Sequence, residues 1–258
     1  MASTASALDL HERVAIVTGG SRGIGKEVCI ALARHGASVV VCYQGNAAAA
    51  NDVVSTIQQQ GLGAAIAVQC DVSNPSHVPV LFDAAITAYG HINIVVHLAG
   101  TLLSSYPSLE NTSLADWQNT FSVNVNGTFL VCKEAASRIC PGGKGRIVTA
   151  SSSMVHILKP GYGAYVASKA AVETLTKMLA KELKGRRITA NCVAPGPVAT
   201  EMFFAGKDEA TIQAMREGPP LERLGEPADI AALIIFLVSD GGEWVNGQVI
   251  RANGGFAV

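Results

Sequence analysis

The strongest constraint on the fold of this chain is a glycine-rich loop placed between an apolar strand and a helix. Residues 14–17 form a β-branched apolar run typical of a buried strand, and the loop that follows has glycines at positions 19, 23 and 25. The helical pattern then runs over 26–34 and stops at Gly36. Glycines allow a tight turn and bring backbone N–H groups close to a pyrophosphate at the positive end of a helix. The loop therefore predicts nucleotide binding, although its spacing is GxxxGxG and not the usual GxGxxG.

The residues after the second apolar run, 38–43, indicate which nucleotide is bound. A cofactor with a free ribose 2′-hydroxyl usually meets an Asp or Glu about 20 residues beyond the glycine loop, but this chain has no acidic residue between Glu27 and Asp52. Tyr43 and neutral residues stand there instead, and Arg22 in the glycine loop can face the same pocket. Because a guanidinium binds a 2′-phosphate through charge-assisted hydrogen bonds, the sequence predicts NADP(H) and not NAD(H). The alternative is that Arg22 is a solvated loop residue.

Strand and helix patterns alternate along the rest of the chain. Further strands are predicted at 64–70, 92–97, 146–150, 188–193 and 248–251, and helices near 47–60, 76–89, 113–139, 162–183 and 227–238. This order predicts an α/β fold with a doubly wound, Rossmann-type, mainly parallel sheet and helices on both faces. Because no linker or internal repeat divides the sequence, we expect a single nucleotide-binding and catalytic domain over 1–258, with 1–11 as a flexible arm.

The segment 200–222 interrupts this alternation. It carries large apolar side chains in a row at Met202, Phe203 and Phe204, and a Gly-Pro-Pro run at 218–220. In doubly wound sheets ligands bind at the carboxyl ends of the strands, and this segment begins there. We therefore expect it to be a lid over the substrate pocket.

Charge and cysteine usage exclude several classes of partner. The net charge is −1 and no basic stripe is visible, which argues against a nucleic-acid or membrane surface. No apolar run reaches the length of about 18 residues that a membrane span needs, and the first residues show no targeting signal, so we expect a cytoplasmic protein. The six cysteines are scattered outside any metal-ligand spacing, so we expect reduced thiols and no metal.

Low charge and high hydropathy together predict self-association. Only 15% of the residues are charged, and the mean hydropathy is +0.31. Parallel strands buried on both faces account for part of this apolar content. An interface between copies would account for the rest, so we expect a homodimer or a homotetramer.

Tyr165 and Lys169 form a YxxxK pair within a predicted helix. Residues four apart share one helix face, so the phenol and the ammonium would point into the same space. A phenol alone has a pKa of about 10, and an adjacent buried cation lowers it by stabilising the phenolate. Such a pair can donate a proton to a carbonyl oxygen. The alternative is an ordinary amphipathic helix in which the tyrosine packs and the lysine is solvated.

Further motifs accompany this pair in a fixed order along the chain. They are Thr18-Gly19-(x)3-Gly23-Ile24-Gly25, Cys70-Asp71-Val72, Asn124-Val125-Asn126-Gly127, Ser152 thirteen residues before Tyr165, and Pro195-Gly196. With these motifs the chain resembles the short-chain dehydrogenase/reductase family over essentially its whole length. The runs 191–204 and 243–251 resemble plant-type NADPH-dependent aldehyde reductase-like members of that family.

The resemblance implies a catalytic tetrad of Asn124, Ser152, Tyr165 and Lys169. Tyr165 would protonate the carbonyl oxygen as hydride arrives from the nicotinamide, while Lys169 lowers the phenol pKa and holds the ribose hydroxyls. Ser152 would bind the carbonyl oxygen, and Asn124 would hold a water that passes protons to Lys169. Judged from the residues alone, Ser152 can instead end a strand, and Asn124 can be a helix kink satisfied by backbone.

The resemblance and the glycine loop together imply the residues that bind the cofactor. These are Gly19, Ser21, Arg22, Gly23, Ile24, Gly25, Tyr43, Gln44, Asn46, Asp71, Val72, Ala99, Gly100, Tyr165, Lys169, Pro195, Gly196, Val198 and Thr200. Asp71 would contact the adenine, and Thr200 with the Val198 backbone would hold the carboxamide. Asp71 is equally consistent with a cap for the following turn.

The implied substrate pocket is mainly apolar, with few charges to fix an anion. Its residues are Ser152, Met154, His156, Tyr162, Met202 and Phe203. This lining favours an aldehyde or ketone carried on an apolar or aromatic body. His156 either orients a polar substrate or is a loop side chain in water. His97 stands where the family has an asparagine, and we expect it to be a satisfied buried histidine.

These observations predict an enzyme that reduces a small-molecule aldehyde or ketone to an alcohol with NADPH, Tyr165 being the proton donor. One alternative is a catalytically idle NADP-binding sensor or scaffold, because a fold does not guarantee chemistry. Another is a reductase of a 3-oxoacyl thioester, or an enzyme that runs toward alcohol oxidation. The sequence leaves the direction open because cofactor ratio and substrate supply set it.

Overall fold

Seven apolar strands form a single parallel sheet in the computed structural model, which describes residues 7–142 and 144–258. Their order is β3-β2-β1-β4-β5-β6-β7, and every neighbouring pair is parallel. The strands are β1 (Val14–Thr18), β2 (Ser38–Tyr43), β3 (Ala65–Gln69), β4 (Ile94–His97), β5 (Gly145–Ala150), β6 (Ile188–Pro195) and β7 (Val249–Ala252).

Helices cover both faces of this sheet. They are α1 (Gly23–Arg34), α2 (Ala47–Gln59), α3 (His77–Tyr89), α4 (Leu114–Phe121), α5 (Gly127–Arg138), α6 (Met154–Ile157), α7 (Gly163–Glu182), α8 (Glu201–Phe204), α9 (Glu209–Glu217) and α10 (Pro227–Val238), with 3-10 turns at Leu109–Asn111 and Asp240–Gly242. In β1, Ala15 and Val17 pack beneath α1, α2 and α10, whereas Ile16 packs beneath α3, α5 and α7. Because successive side chains of a strand alternate between faces, both faces of β1 are buried. The predicted doubly wound α/β fold is confirmed.

The predicted helix over 113–139 is the clearest difference between sequence pattern and structure. Helix α4 ends at Phe121, a π-helical turn follows over Ser122–Asn126, and α5 begins at Gly127. A π-turn accommodates one extra residue within a continuous helix, so the apolar period alone does not reveal it. This turn lies beside the cleft described below.

The structure describes segment 200–222, which was predicted to be a lid, and part of the predicted arm over 1–11. Within 200–222 the chain forms two short helices, α8 and α9. Of the arm predicted over 1–11, residues 1–6 lie outside the described part of the chain. Leu10 is buried, and its N–H donates to the carbonyl of His35 at 2.8 Å. The described end of the arm therefore packs against the domain.

The strand order identifies where a ligand fits. Strands β2 and β3 lie on one side of β1, whereas β4 to β7 lie on the other side, so the order reverses between β1 and β4. Doubly wound sheets bind ligands outside the carboxyl ends of the strands at such a reversal. No described helix has the length and apolar character that crossing a bilayer requires.

Candidate active site

A cleft of about 800 Å³ opens at the carboxyl ends of the strands. Its nucleotide half is lined by segments 19–25, 42–49 and 70–72, which follow β1, β2 and β3. Its substrate half is lined mainly by Met154, Tyr162, Met202, Phe203, Lys207 and Met215. The volume and the strand order suit a dinucleotide with space for a small substrate at one end.

The structure brings nearly all of the predicted site residues to this cleft. The lining contains all those expected to bind the cofactor, namely Gly19, Ser21, Arg22, Gly23, Ile24, Gly25, Tyr43, Gln44, Asn46, Asp71, Val72, Ala99, Gly100, Tyr165, Lys169, Pro195, Gly196, Val198 and Thr200. Ser152 joins the substrate-half residues in the lining. Two predicted residues, Asn124 and His156, are not part of it.

The glycine loop is packed so closely that side chains would fill the cradle. A Cβ at Gly25 would lie 2.0 Å from the carbonyl oxygen of Gly19, and a Cβ at Gly19 would lie 3.1 Å from the nitrogen of Ala99. Gly19 and Gly23 also have positive φ angles of 68° and 53°, which favour glycine. Helix α1 begins at Gly23 directly behind this turn. Its N-terminal N–H groups and the close backbone approach fit the pyrophosphate of a dinucleotide.

Arg22 connects the glycine loop with α8. It occupies the N-cap position of α1, and its Nη1 donates to Oε2 of Glu201 at 2.8 Å. Both side chains are exposed, and both residues line the cleft. A guanidinium has only donors, so it leaves the first N–H groups of α1 available to an anion. Arg22 is thus placed at the nucleotide half, but with a carboxylate of α8 as its partner in this structure.

Asp71 caps a turn and lines the nucleotide half at the same time. Its Oδ1 accepts from the Ser73 backbone N–H at 2.9 Å and from the Ser73 hydroxyl at 2.7 Å. These hydrogen bonds hold the pKa of Asp71 below its ordinary value, because they stabilise the carboxylate. Asp71 therefore caps the turn, as one of its two interpretations supposed, and it also faces the cleft.

Tyr165, Ser152 and Lys169 meet at the floor of the cleft. Tyr165 and Lys169 lie on α7, one turn apart, and Ser152 follows β5. The Lys169 ammonium lies 5.7 Å from the Tyr165 ring centroid and donates to the Ala150 carbonyl at 2.8 Å. Ser152 lines the cleft with Tyr165 and acts on the phenol in the direction that lowers its pKa. The YxxxK pair therefore faces the cleft and is not a solvated helix face.

Lys169 was expected to lower the pKa of the Tyr165 phenol, but burial is the main influence on that pKa. Burial raises the pKa of Tyr165 above its ordinary value, and the hydrogen bond from Ser152 acts in the lowering direction. Burial also lowers the pKa of Lys169 to about 8, because the ammonium loses solvation. Near neutral pH the phenol therefore holds its proton and the lysine is mostly charged.

Asn124 lies behind the cleft wall and ties its parts together. Its Oδ1 accepts from the Thr101 N–H at 2.8 Å, and its Nδ2 donates to the Thr101 carbonyl and to the Ser168 hydroxyl, each at 3.0 Å. A Cβ at Gly100 would lie 3.2 Å from this Oδ1 and 3.3 Å from the Lys169 ammonium. Asn124 therefore fixes the loop after β4 against α7, and the side chain is satisfied by the backbone as the alternative reading supposed.

His97 is buried beneath the same floor. Its Nδ1 lies 2.8 Å from the Thr18 hydroxyl, whose oxygen also accepts the N–H groups of Leu98 and Ala99 at 3.2 Å. Because that hydroxyl oxygen accepts twice, its proton points to Nδ1, and the imidazole proton lies on Nε2. Burial, with Lys169 nearby, lowers the pKa of His97 to about 3. His97 is a neutral structural residue, but the expectation that its side chain is fully satisfied is wrong, because Nε2 has no hydrogen-bond partner within the described residues.

His156 does not orient a substrate in this structure, and its place in the predicted pocket is corrected. It lies in α6, is exposed, and its Nε2 is 2.7 Å from a guanidinium nitrogen of Arg251 on β7. The short helix after Ser153 turns its side chain away from the cleft, whereas Met154 faces inward. The sequence position of His156 between Ser152 and Tyr165 therefore did not indicate which way its side chain points.

Lys207 lines the substrate half, although the sequence analysis did not select it. It lies in the connection between α8 and α9, and its ammonium is 4.7 Å from the Tyr106 ring centroid and 4.8 Å from that of Phe203. The substrate pocket was expected to contain few charges, and Lys207 adds one cation to its lining. A single lysine in a lid gives no sequence signal, because surface lysines are common.

Comparisons with known proteins identify the family of this chain. A family model described as enoyl-(acyl carrier protein) reductase matches residues 19–257. A "Short-chain type dehydrogenase/reductase" of Picea abies is 53% identical, with 95% of this chain and 93% of that protein covered. An Arabidopsis thaliana protein named "NADPH-dependent aldehyde reductase-like protein, chloroplastic" is 52% identical, with 96% of both chains covered.

A solved structure shows the same fold with a cofactor bound. It is a short chain dehydrogenase from Burkholderia cenocepacia J2315 in complex with NADP, 36% identical to this chain, with a TM-score of 0.89. The match covers 96% of this chain and 98% of that one. The chain described here belongs to the short-chain dehydrogenase/reductase family.

Proposed function

We propose that this chain reduces an aldehyde or ketone to an alcohol with NADPH, and that Tyr165 donates the proton. It is an NADP(H)-dependent reductase of its family, as the NADPH-dependent relative and the NADP-bound structure indicate. The observation that carries the finer proposal is the meeting of Tyr165, Ser152 and Lys169 at the floor of a dinucleotide-sized cleft, where its two halves join. A partly buried phenol that holds its proton is a suitable acid for an oxygen that becomes an alkoxide.

The nucleotide half would hold the cofactor through backbone and cationic groups. The glycine loop and the start of α1 would bind the pyrophosphate, and Arg22 beside Tyr43 would meet the 2′-phosphate. NADPH supplies the hydride that reduces the carbonyl carbon. Thr200, which caps α8 through the N–H of Phe203, would meet the carboxamide.

At the floor of the cleft the protein positions and protonates the substrate oxygen. Ser152 and Tyr165 both line the floor, and their hydroxyls would converge on the place where a carbonyl oxygen lies. The Lys169 ammonium stabilises negative charge as the phenol loses its proton, and it is held by the Ala150 carbonyl. Asn124 keeps the adjoining loop in place.

The test compares Tyr165→Phe with the unaltered chain in NADPH oxidation over a panel of aldehydes and ketones. We expect kcat/KM to fall by about 10³-fold or more, because the proton donor is removed while packing is kept. Tyr89→Phe, at a half-buried tyrosine of α3 outside the cleft, is the matched control and should keep its rate.

NADPH binding measured by fluorescence separates the enzyme from an idle sensor. A chain that binds NADPH but reduces no carbonyl, with Tyr165→Phe indistinguishable from the unaltered protein, would support the sensor or scaffold instead. Oxidation of alcohols with NADP⁺ in the same assay determines which direction the protein favours at equal cofactor concentrations.

Assembly and compartment remain predictions. Exposed apolar side chains at Leu109, Leu114, Phe129 and Met178 support a homo-oligomer, and sedimentation of the purified chain tests it. For the compartment, the Arabidopsis relative has "chloroplastic" in its name, and that finding does not support the expected cytoplasmic location. Fractionation of cells that produce the full-length protein decides between the two.

A further inference from the structure

The substrate half contains one cation that the proposed chemistry does not use. Lys207 donates hydrogen bonds to the Tyr106 hydroxyl and to the Phe203 carbonyl, and its ammonium packs over both of these aromatic rings. The side chain is half-buried and lines the cleft. An ammonium has three N–H donors, so one remains for a further acceptor.

The surrounding backbone fixes the position of Lys207. Gly206 has a φ of 70°, and a Cβ there would lie 2.0 Å from the Ser104 carbonyl oxygen. Tyr106 donates its hydroxyl to the Ala205 carbonyl at 2.9 Å. Because the segment before Lys207 packs against the loop after β4, the ammonium is preorganised and is not free to swing into solvent.

The charge of Lys207 is not neutralised by a neighbouring carboxylate. Its two oxygen partners are uncharged, and no ion pair among the described residues includes it. Glu201 is engaged with Arg22, and Asp208 caps α9 through the N–H of Thr211. A cation in an apolar, partly enclosed site attracts an anion more strongly than an exposed one does.

A row of aromatic rings connects this cation with the proton donor. The Tyr106 and Tyr162 ring centroids are 5.0 Å apart, and those of Tyr162 and Tyr165 are 6.5 Å apart. Lys207 lies at one end of the row and the Tyr165 hydroxyl at the other. Because Tyr162, Tyr165 and Lys207 line the cleft, a bound molecule that extends along Tyr162 would present one end to Tyr165 and its opposite end to Lys207.

We propose that Lys207 selects carbonyl substrates that carry a carboxylate at the end remote from the reacting carbonyl. This inference rests on the proposed function, since it concerns the substrate of the same site. The remaining N–H donor suits a carboxylate oxygen, which it would bind through a charge-assisted hydrogen bond. Lys207 would act in substrate binding and not in proton transfer, so replacing it should change the KM.

The experiment measures NADPH-dependent reduction of oxo acids beside their methyl esters. The pairs are 4-formylbenzoate, 6-oxohexanoate, 8-oxooctanoate and 10-oxodecanoate, which vary the distance between the two ends. The variants are Lys207→Met, which keeps the aliphatic stem against the rings, and Lys207→Arg, which keeps the charge. Lys177→Met, at an exposed lysine of α7 away from the cleft, is the matched control.

We expect the unaltered chain to prefer at least one acid over its ester. Lys207→Met should raise the KM for that acid about 10-fold and leave its ester within about 2-fold, as loss of one charge-assisted hydrogen bond predicts. Lys207→Arg should retain the preference, and added salt should weaken it. Equal kcat/KM for acid and ester throughout, or an equal loss for both in Lys207→Met, would overturn the inference.

A binding measurement separates this inference from the proposed function. Calorimetric titration of the NADP⁺-loaded protein with 4-methylbenzoate and with its methyl ester requires no turnover, because neither compound carries an alcohol or an aldehyde at the reacting end. Tighter binding of the acid that disappears in Lys207→Met supports the role of Lys207 whatever the rates. Absence of that difference counts against Lys207, whereas loss of all turnover with the difference intact counts against the reduction alone.

Discussion

The two halves of the cleft are built in different ways. The nucleotide half consists of short segments that directly follow β1, β2 and β3. Its shape comes from backbone segments that lie so close together that only glycine fits between them. The substrate half consists of side chains from α6, the N-cap of α7 and segment 200–222, packed as the small apolar cluster that contains Met154, Tyr162 and Phe203. The first half is therefore fixed by the sheet, whereas the second depends on how segment 200–222 folds.

The largest effect that this comparison predicts is at Gly25 in the nucleotide half. Gly25→Ala should weaken NADPH binding about 100-fold, because its Cβ would lie 2.0 Å from the Gly19 carbonyl and the loop must shift. Fluorescence titration measures the affinity. Gly45→Ala is the control within the same half, since nothing lies within 4 Å of a Cβ there. Unchanged affinity in Gly25→Ala would mean that the loop does not hold the cofactor.

The next effect is at Ser152, on the floor where the halves meet. Ser152→Ala should lower kcat/KM for an aldehyde about 100-fold, as loss of one hydrogen-bond donor to the reacting oxygen predicts. Because Ser152 lowers the pKa of the phenol, the alkaline limb of the pH profile should move to higher pH if it reports Tyr165. NADPH affinity should stay within about 2-fold. A large loss of affinity would show that Ser152 supports the cofactor instead.

His97 lies beneath this floor and predicts how the fold responds to acid. Its pKa is about 3 in the folded chain and about 6.5 when unfolded, so between these values only the unfolded state takes up the proton. The free energy of unfolding should therefore fall as pH drops through this window, with His97 contributing up to about 1.4 kcal/mol per pH unit.

Urea denaturation at several pH values tests the role of His97. In His97→Gln the slope against pH should be smaller, because the titrating group is gone. His156→Gln replaces an exposed histidine and serves as the comparison. Identical slopes for His97→Gln and the unaltered chain would contradict a buried neutral imidazole.

The smallest effect is at the contact that joins the two halves. Glu201→Gln should release Arg22 and strengthen NADPH binding by about 2- to 3-fold without changing NADH binding, a modest figure because both side chains are exposed. Glu209→Gln, on α9, is the control. Weaker NADPH binding in Glu201→Gln would show that the pair serves to hold the lid over the cofactor.

The nucleotide half could be predicted from the sequence because its signals are local. Gly19, Gly23 and Gly25 lie between a strand and a helix that the apolar pattern reveals, and the spacing of Tyr165 and Lys169 follows helical geometry. Residues at the carboxyl ends of parallel strands must also share one edge of the sheet. Their convergence follows from the strand order alone.

The substrate half could not be predicted in the same way, because its contacts join distant segments. Lys207 meets Tyr106 across 101 positions of sequence, and no local pattern marks either residue. His156 was expected in the pocket from its position near Ser152, but α6 turns it toward Arg251. The pKa of Tyr165 likewise depends on burial, which the YxxxK spacing does not report.

The π-turn at Ser122–Asn126 has a consequence for how this enzyme tolerates changes in length. One residue rotates a helix by about 100°, so deletion of a single residue from the turn would restore regular α-helix and swing the Asn124 amide out of its bonds with Thr101. An insertion of one residue in α4 would rephase the same amide relative to the start of the helix. The number of helical residues that precede Asn124 is therefore constrained, as the identity of Asn124 is.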